Sequence, residues 1–159
     1  MYNVWMLDSG MIDHDMSHSV LAEGLTGPVE FFSALNNSEA ESTMASHRID
    51  LLIIDVKHNT ALVKNLVRTA YALHKEINII LTSISSEEKI ARLANKLNAD
   101  GYLLKPFRGV ALLDMVRPLE NIWRESRAYA GEEERSKYLA LINVSIEYCQ
   151  YKKATDTSK

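Results

Sequence analysis

Ile49-Asp50-Leu51-Leu52-Ile53-Ile54-Asp55 is a run of large aliphatic side chains that ends on a carboxylate and passes into the polar Lys57-His58-Asn59. It is too short for an ordinary helix and reads as a buried strand closing on an acid. In an open α/β sheet, ligands bind outside the carboxyl ends of the strands. Asp55 is therefore presented at such an edge.

Upstream, Tyr2-Asn3-Val4-Trp5-Met6-Leu7 is a first strand running into Asp8-Ser9-Gly10. Met11 or Ile12, Met16, Val20, Leu21 and Leu25 then recur at helical spacing, closed by Gly24 and Gly27-Pro28. Val29-Glu30-Phe31-Phe32 is a short β-type run, and Ser38-Glu39-Ala40-Glu41 has the form of a capping box at a helix start. Downstream, Leu62, Leu66, Val67, Ala70 and Leu73 trace an apolar helix face. Ile77-Asn78-Ile79-Ile80-Leu81-Thr82 returns to β character. Ser85-Ser86-Glu87-Glu88 offers another capping box, with Ile90, Leu93, Ala94 and Leu97 behind it. The turn Asn98-Ala99-Asp100-Gly101 leads to a last strand, Tyr102-Leu103-Leu104, which stops at Lys105-Pro106-Phe107. Strands alternating with helices imply a parallel sheet with right-handed crossovers and helices on both faces. Five β/α units end near residue 117.

The composition is ordinary for a globular chain, 47% hydrophobic and 25% charged over 159 residues, and the net charge of −3 gives no basic surplus for holding nucleic acid through its phosphates. The single cysteine, Cys149, rules out an internal disulfide and a Cys-based metal site, which suits a reducing compartment. Residues 1–25 lack the pattern of a secretory signal, and no apolar run reaches the length of a membrane span. The expectation is a soluble, cytoplasmic protein. Among His14, His18, His47, His58 and His74, only the His14/His18 pair has metal-type spacing, and without a third ligand it reads as exposed surface.

Asp8, Asp55, Thr82 with Ser83, and Lys105 all fall at strand ends, hence along one edge of one parallel sheet. Together with Leu51-Leu52-Ile53-Ile54-Asp55, Leu81-Thr82-Ser83 and Ala99-Asp100-Gly101-Tyr102-Leu103-Leu104-Lys105-Pro106-Phe107, this arrangement resembles the CheY-like receiver domain of response regulators in two-component signalling. The resemblance covers residues 2 to about 117. It implies a flavodoxin-like, doubly wound, five-stranded parallel sheet of order 2-1-3-4-5. It also implies that Asp55 accepts a phosphoryl group from a histidine kinase or phosphotransfer protein, that Lys105 pairs with a phosphoryl oxygen, and that Thr82 hydrogen-bonds the phosphoryl group through its hydroxyl. Tyr102 would swing inward when Thr82 moves, and the Lys105-Pro106 bond would be cis. A magnesium ion would be held by Asp8, Asp55 and the backbone carbonyl of Lys57, with Ser9 a weak replacement for the usual second acid. No enzymatic activity is expected beyond self-phosphorylation and autodephosphorylation at Asp55.

The sequence departs from that family in two places. Receivers close the first strand with two adjacent acids, and here Ser9 follows Asp8. Asp13 and Asp15 are nearby in sequence but fall in the first helix, where solvated acids are ordinary. Receivers also carry a proline four residues after the acceptor and a glycine soon after, whereas this chain has Asn59 and neither residue type through Ala70. Lys57 either shields an acyl phosphate from water or is simply solvated.

Residues 118–151 read as a helical extension and 152–159 as a disordered tail. Pro118 should break or kink a helix continuing from Val110. Leu119, Ile122 and Trp123 form a stripe ending near Ala130-Gly131. After Glu132-Glu133-Glu134, a second stripe, Leu139, Ile142, Ile146 and Cys149, either packs back on the receiver or pairs with another chain. The extension is too short and too poor in basic residues for a DNA-binding output. Signalling through protein contacts follows, with homodimerisation through the fourth helix, fifth strand and fifth helix or through the C-terminal helices. Ser9 also motivates a second reading, a degenerate pseudo-receiver that is a phosphorylation-independent interaction module. A flavodoxin-like enzyme or cofactor binder ranks last, because no Gly-rich phosphate loop follows the first strand.

Overall fold

The computed structural model describes residues 1–7, 11–34, 37–57, 60–128, 131, 133–134 and 136–142, with the backbone alone at 11–14 and 37. Asp8, Ser9, His58, Asn59, Ile146 and Cys149, the side chains of Asp13 and His14, and the tail 152–159 lie outside the described residues. The elements alternate as the aliphatic runs require: β1 (Tyr2–Leu7), α1 (Met11–Gly24), β2 (Val29–Ser33), α2 (Asn37–Ser46), β3 (Leu51–Asp55), α3 (Thr60–Leu73), β4 (Asn78–Ser83), α4 (Glu87–Leu97), β5 (Gly101–Leu104) and α5 (Gly109–Ser126). The five strands form one parallel sheet of order β2-β1-β3-β4-β5. This is the doubly wound, flavodoxin-like architecture. No helix among the described residues is long and apolar enough to cross a membrane.

The chain divides into two compact units, Met1–Arg117 and Pro118–Lys159. In the first, β3 is buried from Leu51 through Ile54, as a central parallel strand must be when helices cover both faces. Strand alternation sends Trp5, Leu52, Ile54, Ile79 and Leu81 into one cluster with Met44, Val63, Leu66, Val67, Ile90 and Ala94 from α2, α3 and α4. On the other face α1 and α5 approach closely. A Cβ on Gly24 would lie 2.4 Å from a methyl carbon of Leu113, and one on Gly109 would lie 2.5 Å from a methyl carbon of Val20. Gly24 therefore ends α1 and also admits the neighbouring helix.

Several sequence expectations are corrected. The buried face of α3 is Val63, Leu66, Val67 and Ala70, while Leu62 and Leu73 are exposed, since i, i+3, i+4, i+7 periodicity starts from Val63. α2 begins at Asn37, so Ser38 lies inside its first turn instead of capping it. α4 is capped by Ser86, whose hydroxyl accepts from the Lys89 amide, so the residue at the reciprocal position of a capping box is a lysine and not an acid. Its far end closes on Asn98 in the left-handed conformation, with φ of 54°. α5 is not broken at Pro118 but runs through it to Ser126. Proline removes a single donor, and the hydrogen bonds of neighbouring turns carry the helix past that position.

In the second unit, the fully buried Glu120 accepts two hydrogen bonds from Arg124, at 2.8 and 2.5 Å. The Trp123 ring carries the guanidinium groups of Arg124 and Arg127 at 5.7 and 5.2 Å from its centroid. Residues 133–134 and 136–142 are helical, and Tyr138 hydrogen-bonds Glu125.

The amino-terminal edge of the sheet is tied by a residue from the deciding stretch. Asp50, buried just before β3, accepts from the Asn3 amide at 3.0 Å and from Arg48 Nε at 3.1 Å, while its own amide donates to the Asn3 carbonyl. Removing this carboxylate leaves a buried amide and a cation without their acceptor. Asp50→Ala should lower the unfolding free energy by about 2 kcal/mol in urea titration, most of it from the Asn3 amide left without its acceptor and little from Arg48, whose side chain is 44% exposed. A loss comparable to that of an exposed acid would refute this account.

At the other end of α3, the Tyr71 hydroxyl donates to the Asn98 carbonyl at 2.7 Å. Burial first, and the nearby charge of Asp100 second, push its pKa up from 10.0 to about 12. The folded pKa is raised, so this contribution is complete below pH 10 and is lost as pH rises through about 12. Wild type should lose stability across that window by a component missing from Tyr71→Phe, read from thermal unfolding at stepped alkaline pH.

Candidate functional site

Registers β3 to β4 and β4 to β5 build the site. Asp55 pairs with Thr82, Thr82 with Leu103 and Ser83 with Leu104. The ladder continues past the strand ends, with the Val56 amide donating to the Thr82 carbonyl and the Lys105 amide to the Ser83 carbonyl, both at 2.7 Å. Alternation places Asp55, Thr82 and Lys105 on the sheet face away from the α2/α3/α4 cluster. Three residues separated by up to fifty positions thus converge at one carboxyl-terminal edge.

Lys105 Nζ lies 3.5 Å from Asp55 Oδ2, with the two side chains 10% and 11% exposed. A nearly desolvated ammonium beside a carboxylate places a positive charge where further negative charge on Asp55 would gather. Thr82 is buried beside them and its strand partner is Asp55 itself. The Lys105-Pro106 peptide bond is cis.

Tyr102 occupies the other face and packs against the cluster. Its hydroxyl donates to Glu87 at the start of α4 over 3.4 Å. Partial burial, then the charge of Glu87 and this hydrogen bond, hold the phenol above its ordinary pKa. Thr82 and Tyr102 are thus near neighbours in the sheet with side chains on opposite sides of it.

Asp8 and Ser9, expected to contribute to a metal site, lie outside the described residues, and Lys57 is exposed two residues after Asp55. Among the described residues no group of three or more His, Cys, Asp or Glu is placed to hold a metal. Among the described histidines, His18 packs against Phe31 in a tilted arrangement with ring centroids 3.8 Å apart, His47 contacts Phe32, and His74 bonds the Met44 carbonyl at 2.9 Å.

Ser83 received no role in the sequence reading beyond standing next to Thr82. It is 1% exposed, and its hydroxyl lies 3.3 Å from the Val56 carbonyl and 2.9 Å from the Ser85 hydroxyl while accepting from the Ser85 amide at 3.0 Å. The Ser-x-Ser spacing was the available signal, since a serine hydroxyl readily binds the amide two residues on.

No protein-family model matches the sequence, and comparison with curated proteins also yields no match. Solved structures do match. A response regulator from Thermotoga maritima superposes with a TM-score of 0.66 at 24% identity, over 75% of this chain and 97% of that one. A CheY-like response regulator receiver domain protein from Methanospirillum hungatei gives 0.65 at 19% identity, over 79% and 98%. A response regulator from Burkholderia pseudomallei, solved with a phosphorylated aspartic acid, a calcium ion and citrate, gives 0.61 at 16% identity, over 82% and 76%. With its strand order, its helices on both faces and these neighbours, the chain has the fold of the CheY-like response-regulator receiver domain.

Proposed function

We propose that this chain is a phosphorylation-controlled receiver: Asp55 accepts a phosphoryl group from a phosphohistidine of a histidine kinase or phosphotransfer protein, and the outcome is read through protein contacts. The supporting observation is the convergence of Asp55, Thr82 and Lys105 at one strand edge, with Lys105 Nζ 3.5 Å from the Asp55 carboxylate. In the transfer, a carboxylate oxygen of Asp55 forms a bond to phosphorus as the phosphorus–nitrogen bond of the donor breaks. The imidazole leaves with the electron pair and takes up a proton, and Asp55 becomes an acyl phosphate. Such a transfer needs positioning and neutralisation of oxygens more than covalent assistance. Lys105 supplies a fixed positive charge and Thr82 a hydroxyl beside the acceptor.

A hard divalent cation, magnesium by preference, fits the chemistry of the donors, which are all oxygen: the carboxylates of Asp55 and Asp8 and the main-chain carbonyl of Lys57. When bound it would neutralise oxygens of the incoming group. The phosphorylated aspartic acid and calcium ion in the Burkholderia pseudomallei neighbour support this reading. Residues 1–117 act as the receiver and 118–151 as a helical extension. Tyr102 and Thr82 form the switch, and α4, β5 and the start of α5 form the surface that a downstream protein or a second copy reads.

Incubation of the intact protein with Mg²⁺ and a small phosphodonor should add one phosphoryl mass to wild type and none to Asp55→Asn. No gain in wild type at millimolar Mg²⁺ would sink the proposal and leave a phosphorylation-independent interaction module in its place. Replacing the neutral partner of Asp8, Ser9→Asp, should tighten Mg²⁺ binding by about tenfold in calorimetric titration, the scale on which changes beside metal ligands act. An unchanged affinity would show that the serine does not limit metal binding.

A further inference from the structure

We infer that Ser83 is a positioning residue that couples the Asp55 loop to the amino terminus of α4. This deepens the proposed function, on which its purpose rests, but the coupling itself stands on geometry. Val56 directly follows the acceptor, and its carbonyl lies 3.3 Å from Ser83 Oγ. The same oxygen accepts from the Ser85 amide at 3.0 Å and lies 2.9 Å from the Ser85 hydroxyl. Ser85 adjoins Ser86, the cap of α4, which holds the Lys89 amide. A continuous polar path therefore runs Asp55-Val56, Ser83, Ser85-Ser86 and Lys89.

The position leaves little slack in that path. Ser83 is 1% exposed and its contact with the Val56 carbonyl is buried, so water does not replace that bond, while Ser85, at the other end of its contacts, is exposed. The main chain of Ser83 is also fixed, because its carbonyl receives the Lys105 amide at 2.7 Å. One residue thus touches the segment after the acceptor, the residue that pairs with the acceptor, and the loop that starts α4. The next residue, Ile84, is 76% exposed, so a shift of this loop changes an apolar surface. The chemistry at Asp55 and the surface around Ile84 and α4 are in this way joined by a single hydroxyl.

The test uses nuclear magnetic resonance of the full chain and requires no phosphorylation. Asp55→Asn, a static change of charge at the acceptor, should shift the amide resonances of Ser85, Ser86 and Lys89 in the wild-type background. In Ser83→Ala most of that shift should be lost, and in Ser83→Thr, which retains a hydroxyl, it should return. Ser85→Ala, which keeps the amide bond to Ser83 and guards against misfolding of the Ser83 variant, should give an intermediate response. A full response in Ser83→Ala, or none in wild type, overturns the coupling. The phosphodonor experiment is separate: absence of a phosphoryl mass gain removes the signalling purpose while the resonance shifts still decide whether the coupling exists.

Discussion

Parallel pairing in a fixed register is the constraint on which the site depends. A one-residue slip of β4 against β3 would send Thr82 to the opposite face of the sheet and put Leu81 or Ser83 beside Asp55. Register is held by the aliphatic fill of both faces, since a slip would also move Ile80 and Leu81 onto the wrong layers. It is held again beyond the strand ends by the Val56-to-Thr82 and Lys105-to-Ser83 bonds. The core thus specifies the site without touching it chemically.

β3 is flanked by two acids whose surroundings differ in kind. Asp50 receives hydrogen bonds from the Asn3 amide and from Arg48, and the same segment ties three strands: Asp50 to Asn3, and the Asn78 amide to the Asp50 carbonyl. Asp55 faces Lys105 at 3.5 Å, beyond the usual hydrogen-bond distance of about 3 Å. The attraction at that separation is about 5 kcal/mol at an intermediate effective dielectric, while desolvating each ion costs several kcal/mol. Such a pair does little for net stability. A desolvated ammonium at that place would stabilise negative charge developing on Asp55.

β3 and β4 were legible because each is a largely aliphatic run closed by a polar residue, β1, β2 and β5 because they are short runs rich in apolar and aromatic residues, and the strand ends at Asp55, Thr82 and Lys105 followed from the same pattern. Helix detail was less legible. Leu62 and Leu73 matched an apolar period but face solvent, because a periodic pattern has several phases and only packing selects one. Pro118 suggested a break or kink in α5, yet the helix continues through it to Ser126, since a proline removes one donor and leaves the turns on either side in place. Ser83 was invisible in its main role because its partner at Val56 is a backbone carbonyl, which carries no side-chain signature.

Thr82 and Ser83 turn one strand end toward two different sides of the sheet. Successive residues of a strand project to opposite faces, so Thr82 meets Asp55 and Lys105 on one side while Ser83 meets Val56 and Ser85 on the other. Between them lies a single peptide unit, and peptide geometry is stiff. A main-chain displacement at Thr82 therefore carries Ser83 with it. Ser83 is buried and its hydroxyl accepts from the Ser85 amide, so the loop before α4 is tied to that peptide unit. Tyr102, on the same face as Ser83 and bonded to Glu87 in the first turn of α4, stands where such a displacement would arrive.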